Sequence, residues 1–142
     1  MAGEPEPVDH VLDASAAAKL FLKEPESAAF RSWYLQEVEG GATFAAPSLL
    51  SYEVAHLLAR NLQPPAGARA PEWFAERHDE VLSGIVMDEA AARRVFSWTG
   101  ALTGYDASYI AVAVATRASL VSYDDALLKE ARRHNVRTHT PQ

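Results

Sequence analysis

Short apolar runs of strand length alternate with helix-length segments along nearly the whole chain, and this alternation restricts the fold more than any other feature. Val8 to Leu12 reads as a buried strand and Ala14 to Leu22 as a helix, closed by Pro25. Glu26 to Val38 reads as a second helix with Phe30, Trp33, Tyr34 and Val38 on one face, broken by Gly40-Gly41. Thr43 to Ala46 reads as a strand, Pro47 leads into a helix over Ser48–Asn61, and Gln63 to Pro71 is a proline-rich loop. Helices near Pro71–Leu82 and Asp88–Trp98 flank a strand at Gly84–Met87. After Gly100 and Gly104, Asp106 opens an almost wholly apolar helix, Ala107 to Ala115. Leu120 to Ser122 is a buried strand, Asp124-Asp125 opens a helix running to about His134, and Val136 to His139 is the last strand. Strands that alternate with helices pair in parallel, with crossovers covering both sheet faces. The expected class is α/β, three layers deep, with a mainly parallel sheet of short strands between helices.

Length and composition bound the rest. At 142 residues the chain fits one domain, expected over residues 8–142 and preceded by a flexible tail at 1–7. A chain of this size buries about 68–70% of its unfolded surface. No apolar stretch approaches the roughly 18 residues of a membrane span. The acidic, proline-rich start resembles neither a signal nor a transit peptide. No cysteine is present, which excludes disulfides, thiolate zinc sites and cysteine nucleophiles. A cytoplasmic protein is expected.

Four carboxylates stand where a carboxylate is a poor structural choice: Asp13, Glu53, Asp106 and Asp124, each at the edge of an apolar run or inside one. Burying several like charges together costs several kcal/mol per ion unless a cation balances them. Asp13 and Asp124 each follow a strand and precede a helix, so helix capping explains them too, and Asp125 is an equal candidate for the second cap. Both also lie at the strand edge where open parallel sheets build their sites, in one crevice if their strands are neighbours. Capping and the helix dipole likewise offer a plain account of Asp106. Glu53 is harder to explain structurally. It lies four residues after Leu49 and four before Leu57, on the apolar stripe of its helix.

Such oxygen ligands suit Mg²⁺ or Mn²⁺ and have little preference for zinc. The net charge of −6 argues against tight nucleic-acid binding at face value, but four of those acids around divalent metal would form a nearly neutral site. The five histidines show no paired ligand spacing, and the Glu-x-x-His of Glu53 and His56 occurs once where a di-iron bundle needs it twice. Three of the acids follow a tyrosine: Tyr52, Tyr105 and Tyr123. Base stacking is one reading, but helix neighbours point about 100° apart, so packing in the core or behind the acids is the better one. Trp33, Trp73 and Trp98 are expected in the core or a dimer interface, and Arg132, Arg133 and Arg137 need no function at a helix end. Ser15 lacks a histidine placed to act as its base. No phosphate-binding glycine loop or Gly-x-Ser-x-Gly elbow is present.

The order and context of the acids resemble the PIN-domain ribonucleases, and most of all the VapC-type toxins of toxin–antitoxin pairs. Val11-Leu12-Asp13-Ala14-Ser15-Ala16 resembles the opening strand with its first acid, and Pro47-Ser48-Leu49-Leu50-Ser51-Tyr52-Glu53-Val54 the segment with the second. Tyr105-Asp106-Ala107-Ser108-Tyr109-Ile110-Ala111-Val112-Ala113 matches the third most closely. Leu120-Val121-Ser122-Tyr123-Asp124-Asp125-Ala126-Leu127-Leu128 resembles the fourth, with Ser122 where the family often has Thr. The 63–71 loop and the acidic tail depart from compact members of the family.

The resemblance implies Mg²⁺- or Mn²⁺-dependent hydrolysis of RNA phosphodiester bonds, with Asp13 and Asp106 as the main metal ligands. Glu53 and Asp124 would complete the site, and Ser15, Ser122 and Asp125 would stand behind it. It also implies a small cognate antitoxin and a homodimer. Two other classes remain open at this stage. One is a catalytically silent PIN-like module that binds RNA or a partner. The other is a Mg²⁺-dependent small phosphohydrolase, although Ser15 occupies the second place of the Asp-x-Asp that the haloacid-dehalogenase type requires.

Overall fold

A computed structural model describes residues 7–88 and 104–142. Five strands form one sheet: β1 (His10–Leu12), β2 (Phe44–Ala46), β3 (Ile85–Met87), β4 (Ser119–Val121) and β5 (Thr138–His139). Their order is β3-β2-β1-β4-β5, and every neighbouring pair is parallel. Successive strand side chains point to opposite faces. Val11 and Leu12 are both buried, as are Leu120 and Val121, so the sheet centre is covered on both faces. The three-layer α/β architecture expected from the alternation is therefore the one found. The edge strand β3 leaves Val86 exposed.

The helices among the described residues are α1 (Ala14–Ala17), α2 (Ser27–Glu39), α3 (Leu49–Asn61), α4 (Ala70–Leu82), α5 (Gly104–Thr116) and α6 (Asp125–Arg133). The expected helix over Asp88–Trp98 lies outside the described residues from position 89 onward, as do Trp98 and residues 1–6 of the tail. Helix α5 packs against β1, β2 and β4. Its buried run from Tyr109 to Ala113 explains why the segment is apolar almost all round.

Two expectations need correction. The first helix stops short, since after Ala17 the chain tightens into a 3₁₀ turn at Ala18–Leu20 and ends there instead of reaching Leu22. Ser27 Oγ donates to the Leu22 carbonyl at 2.6 Å and accepts from the Glu24 amide at 3.0 Å, a turn the helix would have to break. The second correction concerns α2. Phe30, Trp33 and Tyr34 pack inward, but Val38 is exposed and the next inward position is Glu37. Glu37 Oε1 meets His10 Nε2 at 2.8 Å, and His10 Nδ1 meets Ser119 Oγ at 2.7 Å, tying α2 to β1 and β4.

Three helices end alike. The amides of Ala42, Ala118 and Val136 reach back to the carbonyls of Glu37, Ala113 and Ala131, and those of Gly41, Arg117 and Asn135 to Val38, Val114 and Arg132. This double closure requires a left-handed residue, and Gly41, Arg117 and Asn135 all have positive φ. Each closure turns the chain directly into β2, β4 or β5.

Candidate metal and substrate site

Strand order reverses at β1, which leads on one side to β2 and β3 and on the other to β4 and β5. A crevice opens at such a point beyond the carboxyl ends of the strands. β1 ends into Asp13, and its neighbour β4 ends into Ser122, Tyr123 and Asp124. The condition set by the sequence, that these two strands be neighbours, is met.

Asp13 is 4% exposed and caps α1. Its Oδ1 accepts from the Ala16 amide at 2.9 Å and from Ser15 Oγ at 2.7 Å, while Oδ2 accepts from Ser122 Oγ at 2.6 Å. Burial pushes its carboxyl above the ordinary range, the hydrogen bonds from Ser122, Ala16 and Ser15 pull it back, and the charge of Asp124 adds a smaller upward push. Ser15 Oγ also accepts the Tyr123 amide at 2.9 Å, and Ser122 Oγ accepts the Asp124 amide at 2.9 Å. The two hydroxyls thus join the turn after β1 to the turn after β4. Asp124 caps α6, its Oδ1 taking the amides of Ala126 and Leu127, and Asp125 is exposed in the first turn. Both strand-end aspartates are therefore helix caps. Capping uses Oδ1 of each carboxylate, and Oδ2 of Asp13 accepts from Ser122 as well.

Glu53 is half-buried on α3 and accepts a 2.5 Å hydrogen bond from the hydroxyl of Tyr109 on α5. Tyr109 is 3% exposed. Burial raises its phenol far above the normal range, reinforced by the bond to Glu53 and by the charges of Glu53, Asp13 and Asp106. Tyr109 therefore keeps its proton at any physiological pH and serves as a fixed donor. Three acids from three separate segments act on this one phenol. Asp106 lies in the first turn of α5, where the helix dipole favours a negative charge.

Glu53 and Asp106 line an open cleft of about 670 Å³, together with Ser15, Tyr52, His56 and Tyr105. Asp13 and Asp124 do not line that cleft; Asp13 is joined to its wall by the hydrogen bond from Ser15. Tyr52 and Tyr105 are 76% and 69% exposed, which corrects the expectation that they pack in the core or behind the acids. Tyr123 does pack inward, its hydroxyl donating to the Pro141 carbonyl at 2.7 Å. Tyr109 carries no distinguishing mark in the sequence beyond lying three residues after Asp106. A second cavity, about 590 Å³, lies where Asp9, His10, Glu37 and Arg137 meet. Its histidine is already engaged by Glu37 and Ser119.

The four acids offer oxygen donors, which suit a hard divalent cation, and His56 is the one nitrogen-bearing side chain among the described residues that line the cleft. Among the described residues no three His, Asp or Glu side chains stand close enough to hold an ion by themselves. Mg²⁺ does not require that, because it keeps several waters and binds through one or two carboxylates. The residues present therefore fit such an ion.

No curated protein matches the chain. Among solved structures, one described as FitAB bound to an IR36 DNA fragment superposes with a TM-score of 0.61 at 14% identity, covering 93% of this chain and 94% of that one. At that identity the likeness is one of fold. A sequence model of the PIN domain matches residues 10–133, well over half the length. PIN domains are generally metal-dependent nucleases, and this chain belongs to the PIN-domain family.

Proposed function

We propose that this chain is a Mg²⁺- or Mn²⁺-dependent ribonuclease, the VapC-type toxin of a type II toxin–antitoxin module. The observation that carries the reading is positional: β1 lies beside β4, so Asp13 and Asp124 end neighbouring strands, while Glu53 and Asp106 line the same cleft as Ser15, which hydrogen-bonds Asp13. A divalent cation would relieve the repulsion among these acids. Asp13 and Asp106 would hold the ion, with Glu53 and Asp124 completing the site directly or through waters. The bound metal supplies an acidified water and charge stabilisation at the scissile phosphate. The chain's own side chains do the rest. Ser122, Ser15 and the Ala16 amide orient Asp13, and Tyr109 fixes Glu53.

RNA as substrate, a small antitoxin covering the acidic cleft, a homodimer and a cytoplasmic setting belong to the same proposal, as does one nuclease domain over residues 8–142. The solved neighbour holds a DNA fragment, so a DNA substrate belongs beside RNA in any assay. One observation favours a second reading, a silent PIN-like binding module: Asp13 is almost wholly buried and already accepts three hydrogen bonds. Growth separates the two. Expression of the wild type should arrest a bacterial host, and Glu53→Gln should relieve the arrest at equal protein level. Normal growth with abundant soluble wild-type protein favours the silent module.

A further inference from the structure

Among the described residues five large apolar or aromatic side chains are strongly exposed, and the only two aromatic ones, Tyr52 and Tyr105, line the same cleft as Glu53 and Asp106. They come from different helices, α3 and α5, each directly beside one of the two acids. Exposed rings lose the stabilisation that burial would give them, and among the described residues neither ring belongs to the core or to those packed against it. The protein also has little charge with which to draw a phosphate backbone. Its net charge is −6, and the cleft itself carries two carboxylates. Nucleic-acid binding at a cleft that no described Lys or Arg lines needs another source of affinity. Base–aromatic stacking is such a source, and it tolerates any sequence because every base has a π-face.

We propose that Tyr52 and Tyr105 form a two-sided base clamp, stacking the unpaired bases that flank the scissile phosphate of a single-stranded nucleic acid. The proposal rests on the nuclease reading, since the phosphate must lie at the acids for its neighbouring bases to reach the rings. Duplex bases are stacked on one another and present no free face, so the clamp selects single strands. On α3 the exposed stripe continues at one-turn spacing through His56 to Arg60, which would meet the next phosphate. One cation at a phosphate gives a salt slope of only about −0.7 for a single strand, so binding should depend weakly on salt.

The test is steady-state cleavage of a fluorogenic single-stranded 12-nucleotide RNA pool with Mg²⁺, alongside the same pool made abasic at the two central positions. Tyr52→Ala and Tyr105→Ala, and the leucine variants, should raise KM about five- to a hundredfold with kcat little changed. Tyr→Phe at either position should behave as wild type, because the ring is kept. Removing the bases should harm the wild type and leave the alanine variants almost unaffected. Because both side chains are exposed, melting temperatures should not move, and that measurement excludes misfolding as a cause. Alanine variants that cleave with wild-type KM overturn the clamp while the nuclease reading stands. The clamp also fails if those variants keep wild-type KM but escape inhibition by a co-expressed antitoxin, which would assign the rings to a protein partner. A wild type that cleaves neither RNA nor DNA overturns the nuclease reading, and the clamp with it.

Discussion

A carboxylate that is 4% exposed and accepts three hydrogen bonds is pulled two ways, upward in pKa by burial and downward by its donors. Asp13 is that residue, and its carboxyl lies above the ordinary value of 3.8 because burial outweighs the donors around it. A raised folded-state value means that ionising Asp13 opposes folding as pH climbs from the unfolded value through the folded one. Activity that needs the anion is correspondingly lost as pH falls through the folded value. Ser122 is the strongest group pulling that value down. Ser122→Ala should therefore move the acid limb of kcat/KM to higher pH and cost about 1–3 kcal/mol of stability by leaving a buried oxygen unmatched. An acid limb that stays in place would show that Asp13 does not control it. The sequence marks Asp13 and Glu53 well, since a strand end and an apolar helical stripe are both visible in one dimension. It does not mark Tyr109, whose hydroxyl finds Glu53 only after two helices pack, nor the exposure of Tyr52 and Tyr105. Exposure depends on which neighbouring elements arrive, and the 100° between helix neighbours gives no sign of that.

At the scale of elements, the alternation of apolar runs predicts all five strands and the six described helices to within a few residues, while the helix expected over Asp88–Trp98 lies outside the described residues from position 89 onward. Boundaries slipped where side chains competed with the backbone. Ser27 ended the first helix early, and the closure at Arg117, with φ of 58°, fixed the start of β4 at Ser119. An L-residue in the left-handed region costs about 1–2 kcal/mol, and glycine avoids most of that at some loss of chain entropy. Arg117→Gly should accordingly raise stability by about 0.5–1 kcal/mol in denaturant unfolding. A loss of stability would mean that the Arg117 side chain contributes more than the strain it carries. Strand order could not be read from the pattern, because alternation specifies parallel pairing but not which strand lies beside which. The placement of β1 next to β4 is what turns two distant aspartates into one crevice.

Across the whole molecule, the proposed metal site links ion binding to stability. Saturating Mg²⁺ or Mn²⁺ should stabilise the native state by RT ln(1 + [L]/Kd), about 2.7 kcal/mol at a hundredfold excess over Kd. Thermal melts with and without metal measure this, and Asp106→Asn should gain clearly less than the wild type. An equal gain in the mutant would place the ion elsewhere. The net charge of −6 includes these acids, which is why composition alone points away from nucleic acid, while the positions of the acids point to divalent metal and the family resemblance implies RNA. The central claim is that Asp13 and Asp106 hold a metal that cleaves RNA, and cleavage by antitoxin-free protein tests it most directly. The wild type should cut single-stranded RNA with Mg²⁺ or Mn²⁺ and stop in EDTA, and Asp13→Asn and Asp106→Asn should each abolish cutting while remaining folded. Wild-type cleavage rates in either mutant, or cleavage that persists in EDTA, would contradict the account.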